Sequence, residues 1–329
     1  MSFPKKIVVS GMRPTGKLHL GHYFGVLKNW LAMQDSYQCF FFIADWHALT
    51  TEYQNPSLVR ESSREVLLDW LAAGLDPQKS VIFAQSQVPE HAELHLLLSM
   101  ITPISWLERV PSYKELKNEL KDKDLSTYGF LGYPLLQCAD VAIYNADLVP
   151  VGQDQVAHLE LSREILRRFN FLYREIFTEP QPYLTEAPKV PGIDGRKMSK
   201  SYGNAIYLSD SEEEIRKKMS IVITDPARIK RSDPGNPDIC NLYSYHKLVS
   251  PSDLIEKVDF QCRRAEIGCV EDKKLACENL LQFLGPIQKR RKELSQQPEL
   301  IEKILKEGAE KARYVAQKKL KEVYEVMGL

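Results

Sequence analysis

The sequence predicts an α/β protein: a doubly wound parallel sheet of Rossmann-like form, followed by a smaller all-helical C-terminal domain. Three observations carry that expectation. Short continuous apolar runs, "KIVVSGM", "QCFFFIADW" and "SVIFAQS", read as strands buried on both faces. They alternate with helical patterns over residues 57–73 and 91–100, as βαβ units with a parallel sheet require. From Asp210 onward the strand pattern vanishes, leaving helical periodicity broken by the Pro-rich "DPARIKRSDPGNPD".

Taken in order, the first strand centres on Ile7, Val8 and Val9, and Ser10, Gly11, Pro14 and Gly16 end it in a turn. Phe24, Leu27, Trp30 and Leu31 then recur at spacings of three and four, which predicts an amphipathic helix starting near His19 or Leu20. The charged segment "KELKNELKDKD" (114–124) interrupts the alternation and reads by itself as a surface helix. Tyr133, Gln137 and Asp140 stand at i, i+4 and i+7, so one helix face presents all three to a common cavity. The expected domains are residues 1–205 and residues 206–329, without internal repeats.

Composition sets limits on function. With 329 residues and 43% hydrophobic content the chain suits one large or two medium globular domains. It has no run of about 18 apolar residues, the length that a membrane span needs. Residues 1–6 do not have the form of a signal peptide, so a cytoplasmic protein without membrane contact is expected. Six cysteines, at 39, 138, 240, 262, 269 and 277, are then expected to be free thiols. Zero net charge argues against a general nucleic-acid coat, and no DNA partner is expected. Local basic patches remain at "RIKR" (228–231) and "QKRRKEL" (288–294).

The chemistry is concentrated in two stretches. In "RPTGKLHLGH" (13–22) the turn falls at the carboxyl end of a strand, where open α/β sheets bind ligands, and the free N–H groups of the helix start favour phosphate. Gly21 leaves room for a flat base against backbone, while His19 and His22 share one helix face and can both donate to phosphate oxygens. A lone His-x-x-His is also a common surface pattern. In "DGRKMSKS" (194–201), flanked by Gly192 and Gly203, a mobile loop can bring the ammonium groups of Lys197 and Lys200 and the hydroxyls of Ser199 and Ser201 over a triphosphate.

Together, His-Leu-Gly-His and Lys-Met-Ser-Lys-Ser resemble the two signatures of class I aminoacyl-tRNA synthetases, in their usual order. The blocks "IADWHALT" (43–50), "LDWLAAGLDP" (68–77), "QSQVPEHAEL" (85–94), "WLERVPSYK" (106–114), "GYPLLQCADVAIYNADLVPVGQDQ" (132–155) and "HLELSREILRRFN" (158–170) resemble the bacterial tryptophanyl-tRNA synthetase family. Residues 307–329 resemble that family's closing helix. The resemblance implies attack of the amino acid carboxylate on the α-phosphorus of ATP, with Mg²⁺ on the leaving pyrophosphate, and then transfer to tRNA(Trp). No protein nucleophile is needed, so catalysis comes from positioning and charge stabilisation. It also implies a homodimer with a dimerisation insertion near residues 88–130, and a helical domain that recognises the anticodon, its last helix packing back on the catalytic domain.

Residue roles follow from the same resemblance. Arg13, Pro14 and Thr15 line the ATP site with His19; Gly21 underlies the adenine and His22 faces the phosphates. Gly152, Gln153 and Asp154 approach the ribose, and Val190 or Ile193 offers backbone to the adenine. Lys197 and Lys200, carried with Met198, Ser199 and Ser201, close over the pyrophosphate; His22, Lys197 and Lys200 are the expected catalytic groups. Lys114 or Lys117 can assist from the insertion or be plain surface residues. Many bacterial relatives have Thr and Asn in place of His19 and His22.

For L-tryptophan the resemblance implies that Asp140 accepts the indole N–H, Tyr133 and Gln155 hold the ammonium group and His47 lies near the carboxylate; by themselves Asp140 also reads as a helix cap or ion-pair partner and His47 as a satisfied core histidine. Gln137 is a further contact, and Val9, Val149 and Val151 are apolar walls. A phenol O–H suits Asp140 equally, but related tyrosyl enzymes place a tyrosine where this chain has Val9, which favours tryptophan. Many tryptophanyl enzymes have phenylalanine at the position of Val9 and methionine at that of Gln137, so the indole slot must be walled differently here. A nucleotidyltransferase and a non-catalytic tRNA-binding paralogue are the alternatives; the first lacks the Lys-Ser loop, and the second would have lost signature residues. Cys240, Cys262 and Cys269 resemble a cluster-binding motif found in some members, with Asp272 at the place of the fourth cysteine. Four thiolates are the norm for a [4Fe–4S] cluster, so a lost or labile cluster is expected and no metal ligand set is assigned.

Overall fold

Five strands, β1 (Ile7–Met12), β2 (Gln38–Ile43), β3 (Ser80–Ala84), β4 (Leu148–Val151) and β5 (Gln181–Leu184), form one sheet in the order β3-β2-β1-β4-β5. Every pairing is parallel. The computed structural model describes residues 5–110, 126–152, 155–184 and 190–329. The charged segment with Lys114 and Lys117, and two of the three expected ribose contacts, Gln153 and Asp154, lie outside the described residues.

Both faces of the sheet are covered, which is why its central strands are apolar without alternation. Val8 and Phe41 point into one core with Trp30, Trp70 and Ile82, while Val9, Phe40 and Phe42 point into the other with Phe83, Leu135 and Leu166. The alternation within each strand is the period of two that a pleated backbone imposes. Because β2 and β4 flank β1 on opposite sides, the winding direction reverses there. A crevice therefore opens beyond the carboxyl ends of β1 and β4.

The first helical region is less regular than its sequence pattern. Helix α1 (Leu20–His22) runs into a π-turn (Tyr23–Leu27) and then into α2 (Lys28–Met33), with Phe24, Leu27 and Trp30 buried throughout. Next come α3 (Asp45–Glu52) and α4 (Pro56–Ala73), which begins with proline in its first turn and ends at Gly74, whose φ of 115° favours glycine. Helices α5 (Glu90–Ser99), α6 (Ile104–Glu108), α7 (Tyr128–Ala142) and α8 (Val156–Leu172) complete the layers around the sheet.

Among the described residues no strand follows Leu184, and α9 (Glu212–Ser220), α10 (Asn241–Val249), α11 (Ser252–Arg263), α12 (Cys269–Ser295) and α13 (Pro298–Met327) succeed one another. Two of these helices return to the sheet region. On α12, Arg291 Nε donates to Asp69 Oδ1 at 2.7 Å, and Asp69 Oδ2 accepts the Leu18 N–H at 2.9 Å, so a distant helix is tied to the residue just before His19. On α13, Gly308 lies so close to the edge strand β3 that a Cβ there would stand 1.7 Å from the Ile82 carbonyl oxygen. Arg313 and Gln317 clamp the same helix to Glu90, at 3.0 and 2.8 Å. A covered edge cannot pair with another chain.

The basic patches need correction at two positions. Arg291 is spent on Asp69 and Glu65, and Arg228 donates to the carbonyls of Arg231 and Ile267, so both serve the fold. Lys230, Arg231, Lys289, Arg290 and Lys292 remain exposed. No helix among the described residues is long and apolar enough to cross a membrane.

Candidate active site

A cavity of about 370 Å³ opens at the crevice between β1 and β4. Its floor follows from a glycine. Gly11 pairs in register with Phe42 on β2, and a Cβ at position 11 would stand 2.5 Å from the Phe42 ring, so the ring occupies the space a side chain would fill. Phe42, Ala44 and Phe130 give the cavity its apolar surface. Val9, Val149 and Val151, expected as its walls, are instead buried in the core cluster that contains Phe42 and do not line it. Val9 lies two residues deeper than Gly11 on the same face of β1, paired with Phe40 within that core.

Polar groups converge on this floor. Tyr133, Gln137 and Asp140 all face the cavity from α7, and His47, Arg13 and Gln155 reach it from other elements. Asp140 is 1% exposed and accepts three hydrogen bonds: from Gln85 Nε2 at 2.7 Å, His91 Nδ1 at 2.6 Å and His47 Nε2 at 2.8 Å. Burial alone would raise its pKa, but the hydrogen bonds from His47 and His91 outweigh it and hold the carboxyl at about 2. An ionised carboxylate therefore stands at the wall of a cavity of mixed apolar and polar lining, facing whatever enters. Gln85, His91, Phe42, Phe130, Thr50 and His158 belong to this site or its support, and the sequence assigned none of them a role.

The two signature stretches meet beside the cavity. Leu20 N–H donates to the Ile206 carbonyl at 3.0 Å and Leu208 N–H to that of Leu18 at 2.9 Å, pinning the first turn against the chain that follows the lysine loop. Within the loop Asn204 is the organiser: its Nδ2 donates to Asp194 and to the Lys197 carbonyl, and its Oδ1 accepts the Ser199 N–H. Gly192 makes room for it, since a Cβ there would stand 2.2 Å from Asn204 Nδ2.

Lys200 Nζ reaches across to the Thr15 carbonyl at 2.9 Å, close to Gly16, whose φ of 103° favours glycine. Lys197 is exposed and does not reach the turn in this arrangement. Ser201 is exposed as well, Ser199 is half-buried, and Met198 is buried beside Gly21. Val190 accepts from the Met198 N–H, and Ile193 has both backbone groups engaged, with Asn204 and Ile223. Pro14 and Gly152 flank the crevice at the ends of β1 and β4.

Electrostatically the two histidines of the turn form a neutral donor surface with the Lys200 ammonium beside it. Burial first, then nearby His19 and Lys200, lower the His22 pKa to about 2; burial and Lys200 lower that of His19 to about 4. Both rings are neutral at pH 7. His22 Nδ1 accepts the His19 backbone N–H at 3.2 Å, which leaves the ring proton on Nε2. Burial also lowers the Lys200 pKa, to about 8, so its ammonium persists at neutral pH but is easily lost above it.

The cysteine motif does not fit a four-thiolate cluster. The Arg228 guanidinium lies 3.7 Å from Cys262 Sγ and 3.9 Å from Cys269 Sγ, and the carboxylate of Asp272, at the place of the fourth ligand, is bonded to His246 at 3.0 Å. Among the described residues no group of three or more His, Cys, Asp or Glu side chains is placed to hold a metal ion.

Residues 4–285 match the family model for class I tRNA synthetases of the tryptophan and tyrosine type. The tryptophan–tRNA ligase of Thermotoga maritima is 53% identical over 324 residues, covering 98% of this chain and 99% of that protein. The tryptophan–tRNA ligase of Aquifex aeolicus is 47% identical at similar coverage, 98% and 99%. Among solved structures, tryptophanyl-tRNA synthetase from Campylobacter jejuni complexed with ADP and tryptophan superposes with a TM-score of 0.90 at 35% identity, covering 98% of this chain and all of that one.

Proposed function

The chain belongs to the class I tRNA synthetases of the tryptophan and tyrosine type, and we infer that it activates L-tryptophan with ATP and then charges tRNA(Trp). A carboxylate oxygen of tryptophan attacks the α-phosphorus, the bond to the bridging oxygen breaks, and pyrophosphate leaves. In the second step a ribose hydroxyl at the tRNA end attacks the adenylate carbonyl and AMP leaves. Mg²⁺ enters with the triphosphate as part of the nucleotide substrate.

The observation that carries this reading is the convergence of the two signature stretches, through Lys200 and Thr15, on an aromatic-floored cavity with a buried carboxylate. The neutral His19 and His22 rings can donate to phosphate oxygens without holding the product by charge. Lys200 supplies charge where pyrophosphate develops. Asp140 offers an acceptor to the indole N–H, with Tyr133 and Gln155 toward the ammonium group. Tryptophan is favoured over tyrosine by the two ligases with 47 and 53% identity over nearly the whole chain.

The helices beyond residue 206, with exposed Lys230, Arg231, Lys289, Arg290 and Lys292, are the proposed tRNA-recognition part. A cytoplasmic homodimer is the proposed assembly. Exposed Leu96, Met100 and Ile104 on and beside α5 and α6 support an apolar interface there. Charging of a tRNA(Trp) transcript with labelled tryptophan tests the reading: stable aminoacyl-tRNA is expected with that transcript, and adenylate formation without any charging would refute the transfer step.

A further inference from the structure

We propose that Gln85 and His91 are positioning residues for amino acid selection, locking the Asp140 carboxylate so that a single acceptor site faces the cavity. The inference rests on tryptophan being the substrate. An ionised carboxylate only accepts hydrogen bonds and has about four lone-pair sites, two on each oxygen. Both sites of Oδ1 are taken, by Gln85 Nε2 at 2.7 Å and His91 Nδ1 at 2.6 Å. His47 Nε2 takes one site of Oδ2 at 2.8 Å. One site remains, and Asp140 lines the cavity.

The two positioning residues do not themselves line the cavity, so they act on substrate only through Asp140. They come from elements distant in sequence. Gln85 begins the short turn after β3, His91 lies in the first turn of α5, and both are fully buried. The His91 ring is held on its far side as well: its Nε2 meets the hydroxyl of buried Tyr144 at 2.7 Å, and the rings of Phe42, Phe83 and Tyr144 surround it with centroids 5.3–6.0 Å away. A carboxylate fixed at both oxygens cannot rotate to follow a misplaced donor. It therefore rewards only a side chain whose N–H arrives at the one open site, and it leaves that site dry when the ring has no donor.

The test compares L-tryptophan with L-3-benzothienylalanine, in which sulfur replaces the indole N–H, in ATP–pyrophosphate exchange. The wild-type chain is expected to prefer tryptophan in kcat/KM. In His91→Leu and Gln85→Met that preference should fall at least about tenfold, with the loss confined to tryptophan and the KM for ATP unchanged. His91→Asn, which keeps a donor, should restore part of it. Tyr144→Phe removes only a hydroxyl from behind His91 and keeps the volume, so it should lower the preference even if the more severe variants fail to fold. Equal losses for both substrates, or an unchanged preference in Tyr144→Phe and whichever other variants fold, would overturn the proposal while leaving the assignment of tryptophan intact. No exchange with tryptophan in the wild type would instead overturn that assignment.

Discussion

Lys200 sits at the meeting point of the two signature stretches, donating to the Thr15 carbonyl with a pKa that burial lowers to about 8. The charged form exists below that value, so kcat/KM for ATP, which reports the free enzyme, should decline as pH rises through about 8. Arginine does not deprotonate in this range. Lys200→Arg should therefore lose the alkaline limb whatever its absolute rate, and an unchanged limb in that variant would show that another group titrates. Lys200→Ala should lower the single-turnover rate of adenylate formation far more than it raises the KM for tryptophan. The sequence identified both lysines from their spacing but could not tell them apart. The structure does, because the bridge between Pro191 and Lys197 leaves that side chain exposed, while the turn Lys200–Tyr202 directs the next lysine inward. Likewise Tyr133, Gln137 and Asp140 were legible as one helix face, whereas Gln85 and His91 join Asp140 from 55 and 49 residues away, a separation that no local pattern encodes.

Secondary-structure elements were legible where their pattern is long and unbroken. The three apolar runs became β1, β2 and β3, and the expected helices over residues 57–73 and 91–100 became Pro56–Ala73 and Glu90–Ser99. Strands β4 and β5 were hidden, since each has four residues and each contains a proline, Pro150 or Pro182, which weakens the strand signal. The π-turn between α1 and α2 keeps Phe24, Leu27 and Trp30 on the buried side, so the apolar spacing alone does not reveal it. The closing helix depends on one position. Gly308→Ala would push a methyl group into the Ile82 carbonyl, where backbone rather than a flexible side chain must move. A destabilisation of about 1–3 kcal/mol is expected from such overpacking, seen as a lower Tm in thermal unfolding. An unchanged Tm would mean that α13 does not bear on β3 at that point.

Across the whole molecule, the parallel α/β build, a ligand crevice at the carboxyl end of the first strand and the smaller helical C-terminal part were legible in the pattern of runs and breaks in the chain, while the order of the five strands, which needs the hidden β4 and β5, and the ties between distant parts were not. Arg291 reaching Asp69, and Arg228 reaching the thiols of Cys262 and Cys269, both convert apparent surface charge into internal cross-links. With Arg228 against two of the three cysteines and Asp272 bonded to His246, protein purified without oxygen should contain far less iron and sulfide than the four of each in one cluster, and should still charge tRNA. Four irons per chain with broad visible absorbance, lost in Cys262→Ser, would contradict that. The buried Asp140 carboxylate and the converging signature stretches are proposed to serve tryptophan activation. ATP–pyrophosphate exchange with the purified full chain, run separately with L-tryptophan and L-tyrosine, is the decisive measurement: exchange that depends on tryptophan is predicted, and exchange with tyrosine alone, or with neither, would contradict it.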